Sequence, residues 1–151
     1  MIPLTGKTTV VTGGAGFVGS HLCDALLARR NRVICVDNLV GTDGSTRNIN
    51  HLLDRPDFTF VSESIVDWGK DPDLSSVDCI FHQAASKNTV CLQDPETDLM
   101  VNAMGTLRLL RAAEKHRVRK FVHASTGSVF GQLQARQDEL HPKNPASFIP
   151  T

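Results

Sequence analysis

Apolar positions along this chain recur with two periods that take turns. Thr8–Gly13, TTVVTG, is a short β-branched run ending at a glycine and predicts a strand. From Phe17 to Arg29, Val18, Leu22, Ala25 and Leu26 recur at intervals of three and four, and arginines close the run, so this segment predicts a helix. Arg32–Asn38, RVICVDN, is a second strand, apolar enough to be covered on both faces. Residues 39–48, LVGTDGSTRN, carry loop composition, and a short helix is expected near Ile49–Leu53, ahead of Pro56. Phe58–Ser62 and Val77–Ala85 predict the third and fourth strands. The longest helix runs from Asp94 or Pro95 to His116, with Leu99, Ala103, Leu107 and Leu110 at helical steps, Asp94 as N-cap and Pro95 as first helical residue. A fifth strand starts at Lys120 and breaks at Gly127, and the tail HPKNPASFIPT reads as proline-rich loop.

Strands separated by helices imply crossover connections and a parallel sheet, here of α/β, doubly wound type. Ligands on such sheets bind beyond the carboxyl ends of the strands. Residues 1–151 are expected to form one domain without internal repeats. Sixteen basic and sixteen acidic residues give zero formal charge, so no global attraction to nucleic acid or to an anionic membrane is expected. No apolar run reaches the roughly 20 residues that span a bilayer, and the N-terminus lacks a signal-peptide pattern, which makes a cytoplasmic protein the expectation. Cys23, Cys35, Cys79 and Cys91 form no C-x-x-C pair and have no histidine at zinc-ligand spacing, so reduced, mostly buried thiols and no metal are expected.

The candidate chemistry starts at Gly13, Gly16 and Gly19, a G-x-x-G-x-x-G run between the first strand and the first helix. Gly13 permits a tight turn, Gly16 lets a pyrophosphate approach the backbone, and Gly19 lets the helix pack closely on the sheet. The helix N-terminus offers free N–H groups and partial positive charge to phosphates. Asp37 lies 18 residues after Gly19, at the end of the second strand. A carboxylate there accepts hydrogen bonds from ribose hydroxyls and repels a 2′-phosphate, which favours NAD over NADP. No Gly-Lys-Ser/Thr follows the loop, which disfavours a Walker-type site.

The motifs TGGAGFVGSHL, VDNL, HQAA, NAMGTLRLLRAAEKHRVRKFVHAST and SVFG, in this order, resemble the landmarks of the extended short-chain dehydrogenase/reductases. More narrowly, the chain resembles the NAD-dependent epimerase/dehydratase family (UDP-glucose 4-epimerase-like), from about Lys7 to Phe148. The resemblance implies a Rossmann-type sheet, NAD as cofactor and a nucleotide sugar as substrate. It places Gly13, Gly16, Phe17 and Val18 on the pyrophosphate, and Asp37 and Asn38 on the adenosine ribose. Relatives often carry Asp-Ile after the third strand; the pair here is Ser64-Ile65, so Ile65 is expected against adenine. Ala84 and Ala85 would lie beside the cofactor, Lys87 near it, and Asn102 and Ser125 would complete the pocket. Thr126 matches the family's catalytic serine or threonine, five residues before Gly131, and Phe130 stands where relatives usually show a non-catalytic tyrosine. His82 and His123 are read as packing residues, with His123 on the opposite side of the sheet from Thr126.

The chain departs from the family at its end. The family's base is a tyrosine in Y-x-x-x-K, just after NPxSF or NPxSP. Here NPASF is followed by Ile149-Pro150-Thr151, and the sequence holds no tyrosine at all. The expectation is therefore an N-terminal portion of the Rossmann domain, stopping after about the fifth strand, with the substrate lobe and half of the family's dimer helices missing. A fragment, a premature stop or a shifted reading frame each accounts for that end. Three readings stay open: a catalytically incomplete part of an epimerase or dehydratase, a non-catalytic NAD-binding module, and a non-functional truncation product.

Overall fold

Five short strands with alternating side chains build the sheet of this computed structural model, which describes residues 4–86, 92–131, 138 and 140–144. They are β1 (Thr8–Thr12), β2 (Arg32–Val36), β3 (Phe58–Val61), β4 (Cys79–His82) and β5 (Lys120–His123). All pairs are parallel, in the order β3-β2-β1-β4-β5, so the chain winds outward from β1 in both directions. Registers pair Val61 with Val36, Val36 with Thr12, Thr12 with His82, and His82 with His123. The carboxyl ends of all five strands therefore lie in one row across the sheet.

Alternation sorts the apolar side chains into two cores. Val11, Val33, Cys35, Cys79 and Phe81 pack with Cys23, Leu26 and Leu27 of α1 (Phe17–Ala28) on one face. Val10, Val36 and Ile80 pack with Ile65, Leu109, Ala112 and Ala113 on the other. The centre of the sheet is thus buried on both faces, the reason β1, β2 and β4 read as largely apolar runs.

The second helical layer contains α2 (Ile65–Trp68), α3 (Pro95–Leu99) and α4 (Thr106–Lys115). A π-helical segment, Met100–Gly105, joins α3 to α4, so the predicted long helix is present with a widened middle. Asp94 caps it as expected, accepting from the Thr97 N–H at 3.1 Å, and Pro95 occupies the first turn. Gly105 brings this helix close to α2, since a Cβ there would stand 3.0 Å from Ile65 Cγ2.

Several expected boundaries move. β2 ends at Val36, which leaves Asp37 and Asn38 beyond the strand. β4 ends at His82 rather than Ala85, and β5 at His123 rather than Gly127. The common row of strand ends explains this: past it, a parallel strand has no neighbour to pair with. Loop 39–48 contains a 3-10 turn at Val40–Thr42, and the short helix near Ile49 is a 3-10 turn at Asn50–Leu52. Helix α2 had no sequence forecast; at four residues it is too short to show periodicity.

Candidate functional site

Two adjoining hollows open at the carboxyl ends of the strands, of about 240 and 720 Å3, and share Gly13, Gly16, Ala84 and Ala85. The smaller is also lined by Asp37, Asn38, Ser64 and Ile65. The larger is also lined by Phe17, Val18, Gly19, Asn102, Ser125 and Thr126. Every candidate site residue from the sequence except Lys87 borders one hollow or both; Lys87 lies outside the described residues, as do Cys91 and Ile149.

The turn between β1 and α1 is built from glycines with different tasks. Gly13 has φ +68°, and a Cβ there would stand 2.7 Å from the Ala84 nitrogen; its own N–H donates to the Val36 carbonyl at 2.8 Å. A Cβ at Gly19 would collide with the Gly13 carbonyl, so this glycine fixes the approach of helix to loop. At Gly16 the constraint is milder: a Cβ there would meet only the Gly13 oxygen, at a tight 3.3 Å. Gly16 is the N-cap of α1 and contributes no capping side chain. Among the described residues, no partner takes the N–H groups of Phe17 and Val18, so the helix presents free donors at the larger hollow.

Asp37 is half-buried and ties two loops together. Its Oδ2 accepts from the Ala15 N–H at 3.0 Å and its Oδ1 from the Leu39 N–H at 2.8 Å. A carboxylate has about four acceptor positions, so two are left for a ligand. Leu39 takes φ 62°, a left-handed conformation uncommon for leucine, at the rim where the chain leaves β2. Ser64 caps α2, accepting from the Val66 N–H at 3.2 Å, and Ile65 is buried in the core while still lining the smaller hollow.

Around the larger hollow, Asn102 Oδ1 accepts from the Ser86 N–H at 2.9 Å, and its amide donates to Asp98 Oδ1 at 3.0 Å. Ser86 Oγ donates to the same Asp98 oxygen, while Asp98 Oδ2, buried, has no partner among the described residues. Thr126 is half-buried and its Oγ1 accepts from the Ser128 N–H at 3.1 Å, capping a 3-10 turn at Gly127–Phe130.

His82 keeps the packing role read from the sequence and gains polar partners, whereas His123 corrects that reading. His82 is fully buried but is not an apolar filler: Nδ1 lies 2.6 Å from Thr12 Oγ1 and Nε2 lies 2.8 Å from Thr106 Oγ1. Burial and the neighbouring His123 hold its pKa down at about 4. His123 is exposed, its ring centred 5.1 Å from that of His82, and it lines the same hollow as Thr126 instead of facing away. Strand alternation cannot be carried from His123 to Thr126, because β5 ends at His123.

Sequence reasoning passed over Gly14, Glu63, Asp98 and Thr106. A Cβ at Gly14 would stand 2.5 Å from Cys35 Sγ, a contact between the β1–α1 turn and β2 that no local pattern shows. Glu63 adds an exposed carboxylate at the smaller hollow, one residue before Ser64. Thr106 stands four residues after Asn102, a helical spacing that could have joined it to the site. Cys23, Cys35 and Cys79 are free and buried, with the Cys35 thiol pushed up by its hydrogen bond to Cys23 and by burial. Among the described residues, no cluster of His, Cys, Asp and Glu is arranged to hold a metal, and no helix is long and apolar enough to cross a membrane.

A doubly wound parallel sheet with a glycine turn after its first strand and an acidic residue after its second defines a dinucleotide-binding domain of Rossmann type. The family profile described as "NAD dependent epimerase/dehydratase family" matches residues 9–148. A putative UDP-glucose 4-epimerase of Methanocaldococcus jannaschii is 38% identical over 143 residues, covering 91% of this chain and 45% of the relative. Among solved structures, the UDP-N-acetylglucosamine 4-epimerase of Methanobrevibacter ruminantium superposes with a TM-score of 0.81 at 30% identity, covering 95% of this chain and 46% of that one. The UDP-glucose 4-epimerase of Thermus thermophilus, a complex with NAD, superposes with a TM-score of 0.76 at 33% identity, covering 93% of this chain and 45% of that one. This chain belongs to the NAD-dependent epimerase/dehydratase family. It spans somewhat under half the length of these relatives.

Proposed function

We propose that the chain is the NAD-binding portion of a nucleotide-sugar epimerase or dehydratase, and that residues 1–151 alone do not turn over the sugar. The observation that carries the first part is the convergence of the glycine turn, the free N–H groups of α1 and Asp37 on two hollows that share Gly13 and Gly16. The N–H groups of Phe17 and Val18 bind the pyrophosphate. The spare acceptor positions of Asp37 take the ribose hydroxyls, and Glu63 stands ready as a second carboxylate near the base. Ala84 and Ala85 leave room along the floor. NAD supplies a reversible hydride acceptor when bound. Calorimetry with NAD and NADP tests this part: NAD should bind more tightly, and equal affinities would overturn the role of Asp37.

The second part rests on proton bookkeeping. Removing hydride from a sugar carbinol requires an acceptor for its hydroxyl proton. Thr126 orients that hydroxyl but cannot take its proton at neutral pH, and the sequence contains no tyrosine. The assay is turnover of UDP-, GDP- and dTDP-sugars by the 151-residue chain. Turnover above that of a Thr126→Ala control would overturn this part. The missing phenol also favours a second reading, a non-catalytic NAD-binding module; recovery of turnover on adding a C-terminal portion from a close relative would decide for the enzyme. The free, buried thiols suit a reducing, cytoplasmic setting.

A further inference from the structure

The hydrogen bonds around His82 have one consistent direction, and the chemistry of the last acceptor sets it. Thr106 Oγ1 lies 2.6 Å from the Asn102 carbonyl, which can only accept. The Thr106 hydroxyl hydrogen is therefore committed to Asn102, and its lone pair faces His82 Nε2 at 2.8 Å. Nε2 must carry the ring proton. Nδ1 is then bare and accepts from the Thr12 hydroxyl at 2.6 Å. Thr12 Oγ1, its hydrogen committed to the ring, accepts in turn from the Ala84 N–H at 3.3 Å.

We propose that His82 is a positioning residue: locked as the Nε2–H tautomer, it is the middle link of a one-directional chain running from the Ala84 N–H through Thr12, His82 and Thr106 to the Asn102 carbonyl. The chain joins the ends of β1 and β4 to the helical layer, and its two termini belong to residues that line the larger hollow. Ala84 is the residue whose nitrogen a side chain at Gly13 would strike. Asn102 is the residue that fixes Ser86. That these termini face NAD rests on the reading proposed above; the tautomer and its direction do not.

Other groups near the ring fit this assignment. Phe121 meets it edge-on at 5.8 Å and offers no proton. His123 is the one titratable neighbour of the ring among the described residues, and its imidazole beside the ring opposes a second proton on His82. A proton on Nδ1 would also force the buried Thr12 hydroxyl to give up its acceptor.

Nitrogen NMR of the histidine rings in the 151-residue chain tests the proposal, with the His82 signals assigned by their loss in His82→Gln. Between about pH 5 and 8, His82 should show a protonated Nε2 and a bare Nδ1. Thr106→Ser should keep that pattern. Thr106→Val should let the proton distribute over both nitrogens and, in parallel, weaken NAD binding about tenfold, with Thr106→Ser restoring it. An Nδ1–H tautomer, averaged signals in the unaltered chain, or an unchanged pattern in Thr106→Val would overturn the lock. Thr12→Val should speed hydrogen exchange at the Ala84 amide; if that variant does not fold, the Thr106 pair decides. Failure of the unaltered chain to bind NAD would overturn the proposed function while the ring signals still judge the lock.

Discussion

Asp37 holds the Ala15 and Leu39 N–H groups with one oxygen each, so it shapes the loops as well as offering its remaining acceptor positions to a ligand. Asp37→Ala should weaken NAD binding by about 1.5–3 kcal/mol, the range for a hydrogen bond to a charged group, as read by calorimetry. Asp37→Asn, which removes charge and keeps one acceptor, should raise NADP affinity relative to NAD; an unchanged ratio would remove charge repulsion as the basis of selectivity. His82 makes a different prediction. Its pKa falls from 6.5 to about 4 on folding, so between these values the unfolded chain binds more protons than the folded one. Stability should therefore be complete above about pH 6.5, decline as pH falls towards 4, and level off below it, with a slope of at most about 1.4 kcal/mol per pH unit. Denaturant melts of the unaltered chain and of His82→Phe across this window measure the difference, and the variant should lose that part of the slope.

Helix α1 and its turn show how elements place the site. The sequence pattern located the turn, the first helix and the second strand to within two residues, because glycine spacing and apolar periodicity are local properties. The need for Gly14 was not legible, because the atom that excludes a side chain belongs to Cys35 on β2. Gly14→Ala should cost about 1–3 kcal/mol, the usual range for overpacking a well-filled site. Combining it with Cys35→Ala should recover part of that loss, since the sulfur at 2.5 Å is then gone; thermal melts of the four proteins give the coupling. At the start of α3, Asp94→Ala should cost about 1 kcal/mol by removing the cap on Thr97.

Across the whole molecule, Leu99, Met100, Met104, Leu107 and Leu110 leave an apolar stripe exposed along α3, the π-helical segment and α4. Leu99, Leu107 and Leu110 are among the helical steps read from the sequence, whereas Met100 and Met104 are not, and the stripe has no cover among the described residues. The 151-residue chain should self-associate as concentration rises, without a defined dimer, and Met104→Lys with Leu107→Lys should reduce this; a monodisperse dimer by light scattering would contradict it. The sequence alone determined the five strands, the first helix and the long helix in chain order, the glycine turn, the acidic residue after β2 and the absence of tyrosine from residues 1–151, since each depends on neighbours within a few residues or on composition. Tertiary structure decided what strand order and register bring together. Thr12, His82 and His123 lie in one row although about 40 to 70 residues separate each from the next. That row gives His82 its Thr12 partner, the helix packed over it supplies Thr106, and His123 and Thr126 come to line one hollow, because hydrogen-bond partners are chosen by adjacency in the fold and not by spacing along the chain.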